Sequence, residues 1–148
     1  MTKSQLIHTV ALGSIGKDMG LDDIPNAVSC AISVNNIVER ATGKAIGGGA
    51  STYLMRQALK NGAFRFNPWW RFVRVSEENA QPGDILICAT GTGNGSIPGH
   101  TGIVTDGRRI ISNDSRTGKM QNNYSFESWK ARYVDIGGFP MEFYRLIR

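Results

Sequence analysis

Over the first sixty positions the apolar residues recur at helical spacing; beyond residue 70 they alternate or run together. In residues 3 to 15, Leu6, Ile7, Val10, Ala11 and Ile15 mark one face of an amphipathic helix that Gly16 and Gly20 end. After the turn LDDIP, the stretch NAVSCAISVNNIVERATG puts Cys30, Val34, Ile37, Val38 and Ala41 on one face. Asn26 or Ser29 caps this helix and Gly43 ends it. A third helix, STYLMRQALKNG, has Ser51 or Thr52 as its cap and Gly62 as its stop.

The second half changes period. WRFVRV alternates as a strand does, SEENAQPGD is a turn-rich connector, and ILICA is a short apolar run. HTGIV predicts a strand, and Asp106-Gly107 before RRIISND is a strong hairpin signal. SFESWKARY reads as a short helix capped by Ser125, with Glu127 or Ser128 in its first turn, and EFYRLI as a closing strand. Helices first and an antiparallel meander second predict an α+β fold, with N-terminal helices packed on a C-terminal antiparallel sheet. With no repeat, low-complexity tract or linker, residues 1–148 are expected to form a single domain.

Composition narrows this only a little. Hydrophobic residues at 41% and charged residues at 20% exclude a disordered or fibrous chain. The 18 glycines, clustered between elements, favour a loop-rich domain over a helical bundle. The net charge of +5 suits a polyanionic partner such as nucleic acid, anionic lipid or an anionic cell envelope. The first helix is a poor signal-peptide core and too short to span a bilayer, so no integral membrane segment is expected. Synthesis in the cytoplasm follows, with a separate means of release if the protein acts outside. Cys30 and Cys88 sit in different contexts and read as free thiols, which suits a reducing compartment.

Cys30 is the candidate nucleophile. A helix start favours a thiolate through its oriented N–H groups, and the same groups can receive an oxyanion. A cysteine is also often a small buried hydrophobe, so position alone does not decide. His100 strengthens the case, because it follows a glycine-rich loop and begins a strand from which an imidazole can face a cleft. The only other histidine, His8, belongs to the first helix and reads as structural, and no spacing suggests a metal site. If Asp106-Gly107 is a two-residue loop, Thr105 pairs with Arg108, Ile103 with Ile110, and His100 with Asn113. Opposed residues share a face with Cβ atoms roughly 5 Å apart. Asn113 is then the residue that orients His100, completing a catalytic set of Cys30, His100 and Asn113. A one-residue shift brings Ser112 or Asp114 there instead.

The order SCAISVNNIV, QPGDILIC and GHTGIVTDGRRIISND resembles the papain-like cell-wall hydrolases, the NlpC-type peptidases and their CHAP relatives. The resemblance runs from about Asn26 to Asp114. It implies a papain-like fold, Cys30 as nucleophile, His100 as base and a polar residue on the next strand. It further implies hydrolysis of a peptidoglycan amide bond, by an endopeptidase or an N-acetylmuramoyl-L-alanine amidase, without cofactor. Two features depart from the family pattern. Ser29-Cys30-Ala31-Ile32-Ser33 replaces the common Asp-Cys-Ser-Gly-Phe, and the CHAP-type aromatic after the cysteine is missing. A small basic domain of this kind suits a phage endolysin or an interbacterial toxin acting on the bacterial cell wall, expected as a monomer.

FRFNPWWRFVRV has two readings. Trp69 and Trp70 can stack on sugar rings while Arg65, Arg71 and Arg74 meet anionic groups; adjacent tryptophans in a strand are more often core plus one exposed neighbour. Trp69, Trp70 and Arg71 are the candidate substrate-binding residues. TGTGNGSIPG lacks a phosphate loop's lysine and is expected to be a mobile rim beside His100. Asp84 of the PGD turn reads as structural. Two other functions fit less of the chain: a papain-fold deamidase or transacylase acting on protein or lipid, and a non-catalytic basic module. No nucleic-acid fold signature is present, and nucleic acid is not expected as a partner.

Overall fold

All three helices of the first half form, two with side-chain caps at their starts and the middle one with a left-handed glycine at its end. In the computed structural model, which describes residues 1–20, 25, 29–62 and 70–147, helix α1 spans Lys3–Ser14. The Thr2 hydroxyl accepts from the Gln5 amide at 3.0 Å and Gln5 Oε1 accepts from the Thr2 amide at 2.7 Å, satisfying two end donors reciprocally. Helix α2 covers Cys30–Thr42 and stops at Gly43, whose φ of 88° is left-handed. Helix α3, Thr52–Lys60, starts at Ser51, whose hydroxyl accepts from the Leu54 amide. Asn26, the alternative cap of α2, lies outside the described residues, as do Arg65 and Trp69.

The strands are β1 (Arg71–Val75), β2 (Ile85–Cys88), β3 (His100–Thr105), β4 (Arg109–Asn113), β5 (Met120–Ser125) and β6 (Glu142–Ile147). They form one sheet in the order β1-β6-β2-β3-β4-β5, with every neighbouring pair antiparallel. The fold is α+β. Strand β5 reads MQNNYS and lacks the apolar alternation that predicts a strand. Ser125 caps α4 (Phe126–Trp129) in a reciprocal pair with Ser128, and the chain continues as a π-helix over Lys130–Ile136.

Alternation divides the strand residues between two apolar clusters. Ile85, Ile87, Ile103, Ile111, Tyr144 and Leu146 share one with Ile7 of α1, Val34 and Ile37 of α2, and Met55 of α3. Leu86, Cys88, Val104, Ile110 and Phe143 share the other with Phe126, Trp129, Tyr133 and Phe139. Burial on both faces is why β2 is a continuous apolar run. Its entry turn is held by Asp84, fully buried, which accepts from Arg145 Nε and Nη2 at 2.9 and 2.8 Å and from the Gln81 amide at 2.7 Å. Among the described residues no helix is long and apolar enough to cross a membrane.

The β3–β4 hairpin corrects the expected register. Ile103 pairs with Ile111, Val104 with Ile110 and Thr105 with Arg109, so the loop holds three residues, Asp106, Gly107 and Arg108. Arg108 belongs to the turn because its φ is 57° and its carbonyl accepts from the Phe126 amide at 3.1 Å. Its guanidinium lies 4.4 Å over the Phe126 ring and pairs with Glu77. Continued toward the strand ends, this register sets Gly102 opposite Ser112 and Thr101 opposite Asn113.

Gly102 makes the new register usable. A Cβ there would meet Ile110 Cγ2 at 2.6 Å, the Ile111 carbonyl oxygen at 2.8 Å and Ser112 Cβ at 3.0 Å. Its absence leaves His100 and Ser112 room to meet diagonally on one face. Gly102→Ala is expected to destabilise the protein by about 1–3 kcal/mol, read as a lower urea midpoint at unchanged slope.

Candidate functional site

The local sequence leaves the start of α2 open. Ser29, the residue before Cys30, directs its hydroxyl to the Pro25 carbonyl at 2.9 Å and makes no side-chain cap. Ser29 thus leaves the first-turn amides without its side-chain cap. Cys30 is buried, and the backbone amides of Thr101, Ala31 and Cys30 itself lie against its sulfur. Burial raises the thiol above its ordinary range, and those amides act in the opposite direction.

Cys30 and His100 line the same cavity, of about 510 Å³, with Asn113, Asn123, Tyr124 and Arg132 also in its wall. No direct hydrogen bond joins Cys30 to His100 among the described residues. The imidazole is stacked on Trp129 (ring centroids 5.2 Å, 25° between planes) and on Tyr133 (5.4 Å, 15°), with Tyr124 edge-on at 6.1 Å. Behind it the Trp129 indole N–H donates to Cys88 Sγ at 3.2 Å, which fixes the ring on which His100 rests. Cys88 is fully buried, its thiol is pushed up to about 12 by burial, and it does not line the cavity.

The partner of His100 is Ser112, not Asn113. His100 Nε2 lies 3.0 Å from Ser112 Oγ, and Ser112 Oγ donates to Asn123 Oδ1 at 2.7 Å. A hydroxyl has one proton, so Ser112 accepts from His100, and Nε2 carries the imidazole hydrogen. Nδ1 is left with its lone pair. The three-residue hairpin loop is the cause of this correction: it moves Ser112 onto the His100 face. Asn113, on the opposite face, reaches the cavity from the side of α2.

Asn123 arrives by a second irregularity. Ile111 pairs with Asn122 and Ile110 with Tyr124, so Asn123 is the extra residue of a β-bulge, which re-aims its side chain toward Ser112. Sequence reading passes over Asn123 and Tyr124 because they lie in the polar β5. Arg132 and Tyr133 fall within the helix expected over 125–133, but no periodicity assigns them a site.

The other candidates lie elsewhere. On β1 the inward Phe72 sets the alternation, so Trp70 packs against the helix-side core under Lys3, whose Nζ is 4.4 Å from its ring. Arg71 is exposed. Strands β1 and β5 are opposite edges of the sheet, so neither Trp70 nor Arg71 is brought to the Cys30 cavity; Trp69 is outside the described residues. His8 bonds Thr105 Oγ1 at 2.8 Å, away from the cavity. The glycine-rich loop does reach the cavity, which Pro98 and Gly99 line, and it is anchored: the Asn94 amide donates to the Gly137 carbonyl, and Asn94 Nδ2 and Ser96 Oγ donate to that of Ile136. No cluster of three or more His, Cys, Asp or Glu side chains fit for a metal ion occurs among the described residues.

Burial first, and the charge of Arg132 second, lower His100 from 6.5 to about 4. At neutral pH the site therefore holds a neutral imidazole beside a protonated thiol. Compared with known proteins, the chain matches no family model and no curated sequence.

The depressed basicity of His100 makes folding acid-sensitive. Between pH 6.5 and about 4 the unfolded chain takes up a proton here that the folded chain refuses, so stability falls as pH falls through that window. Wild type is expected to lose about 2–3 kcal/mol more than His100→Gln between pH 7 and pH 4.5, measured by urea unfolding of both proteins at the two pH values.

Proposed function

We propose that this protein is a papain-like cysteine hydrolase that cleaves an amide bond of peptidoglycan, as an endopeptidase or an N-acetylmuramoyl-L-alanine amidase. The observation that carries the reading is one cavity lined by Cys30 and by a histidine whose Nε2–H is anchored. The segments SCAISVNNIV, QPGDILIC and GHTGIVTDGRRIISND, which resemble the papain-like cell-wall hydrolases, supply the substrate class. A net charge of +5 suits an anionic envelope.

In this mechanism Nδ1 of His100 takes the Cys30 proton as the sulfur attacks the amide carbonyl. Transfer is coupled to attack because the resting pair is neutral: burial disfavours a standing thiolate and a standing imidazolium alike. The tetrahedral oxyanion is received by the uncapped amides at the start of α2. The imidazolium formed is stabilised by the Ser112–Asn123 chain and then protonates the leaving amine. Water attacks the thioester with His100 again as base, releasing the acid and restoring the thiol. Ser112 takes the orienting role expected of Asn113.

Digestion of purified sacculi, followed by turbidity and by mass analysis of the released fragments, tests the assignment. Wild type is expected to clear the suspension and its new termini to name the bond; Cys30→Ala clears nothing. Ser112→Ala lowers kcat roughly 10–100-fold at little-changed KM. The acid limb of kcat/KM should fall near pH 4, where His100 protonates, not near pH 6.5. Equal clearing by wild type and Cys30→Ala removes the nucleophile assignment.

A further inference from the structure

Arg132 is an exposed cation on the wall of the cavity that holds the reacting groups, and the proposed chemistry has no use for it. It lines the cavity with Cys30 and His100. Of the other charged residues in that wall, Asp114 and Arg116 neutralise each other at 3.7 Å. Arg132 bonds the Tyr133 side chain, and no carboxylate pairs with it among the described residues, which leave its charge without an acidic partner.

Its position is built. Arg132 sits in the π-helix, a backbone form that is rare and concentrated at functional sites. The segment is held at its start by the Lys130–Glu77 ion pair. At its end the Gly137 amide donates to the Arg132 carbonyl at 3.1 Å, and the Phe139 amide to that of Tyr133 at 2.9 Å. The guanidinium lies 5.6 Å from the centre of the Tyr133 ring, the same ring that stacks on His100. Its charge is near enough to disfavour protonation of His100. A cation that opposes the imidazolium of the catalytic cycle is a cost to the chemistry unless a substrate anion compensates it. A planar guanidinium is matched in shape and charge by a carboxylate, which it binds through paired N–H donors.

We propose that Arg132 is a specificity-determining residue that binds a free carboxylate carried by the substrate beside the amide that Cys30 attacks. The proposal rests on Cys30 being the nucleophile of this cleft. It selects anionic peptides over neutral ones, and the bound carboxylate offsets the Arg132 charge as His100 becomes protonated.

The test uses two alkylating probes that differ in charge. Iodoacetate carries a carboxylate and iodoacetamide does not. Each reacts with Cys30 by sulfur attack on the CH2 carbon, with S–C formation, departure of iodide and loss of the thiol proton. The rate at Cys30 is followed by the mass of its peptide, which separates it from Cys88. Dividing the iodoacetate rate by the iodoacetamide rate cancels any change in thiol reactivity. Arg132→Gln is expected to lower this ratio about tenfold, while Arg132→Lys keeps most of it. An unchanged urea midpoint shows that the variant is folded. In parallel, wild type is expected to digest sacculi with amidated carboxylates about tenfold more slowly than untreated ones, and Arg132→Gln to treat both alike. The same ratio in wild type and Arg132→Gln overturns the proposal, as does equal digestion of both sacculi by wild type. Failure of either probe to label Cys30 removes the nucleophile and the proposal together. A shifted ratio with no digestion of any sacculi supports the carboxylate site and overturns peptidoglycan as the substrate.

Discussion

The hydroxyl of Ser112 has a single proton, and where that proton goes governs the candidate site. It is donated to Asn123, so Ser112 can only accept from His100, and the imidazole is held as the tautomer with its hydrogen on Nε2. Much of the surrounding structure serves this contact. The three-residue hairpin loop sets the register, Gly102 clears the diagonal, and the bulge in β5 turns Asn123 inward. Arg108 holds the loop in that form through Phe126 and Glu77, which ties the site to the opposite end of the strands.

His100 lies where the two apolar layers meet the cavity. Its stacking rings come from the second cluster, whereas Cys30 approaches with α2 from the other side of the sheet. An imidazole so enclosed resists charge, and so does the buried thiol. The pair is therefore neutral at rest, and in the proposed mechanism charge develops only when substrate is present. This differs from a site that stores a thiolate–imidazolium pair, and it limits idle reactivity of the sulfur toward oxidants and electrophiles.

Much of this was legible in the chain before folding was considered. The three helices, the apolar run at β2, the hairpin and the closing strand follow from periodicity and from caps such as Ser51 and Gly43. Cys30 and His100 stood out by their local settings, a helix start and a strand start. Asn113 did not keep its assigned role, because register is decided by loop length, and Arg108 joins the loop through contacts with Phe126 and Glu77 that are distant in sequence. Strand β5 was illegible for a related reason. It is an edge strand with Met120 in the core, Asn122 exposed and Asn123 and Tyr124 lining the cavity, so it lacks the alternation a strand shows when one face is buried in apolar core. Trp70 was misleading in the opposite sense: its aromatic-basic setting suggested binding, and its alternation with Phe72 sets it, half-buried, against the helix-side core.

The bulge at Asn123 has a consequence for how this protein can vary. A side chain is usually changed by substitution, but the aim of Asn123 depends on β5 holding one residue more than its partner between two rungs. Removing Asn122 restores an even ladder, pairs Asn123 with Ile111 and so turns its side chain away from Ser112. For this short segment chain length is as informative as chemical identity. Variants that preserve every polar residue yet differ by one in length lose the hydrogen-bonded chain behind His100.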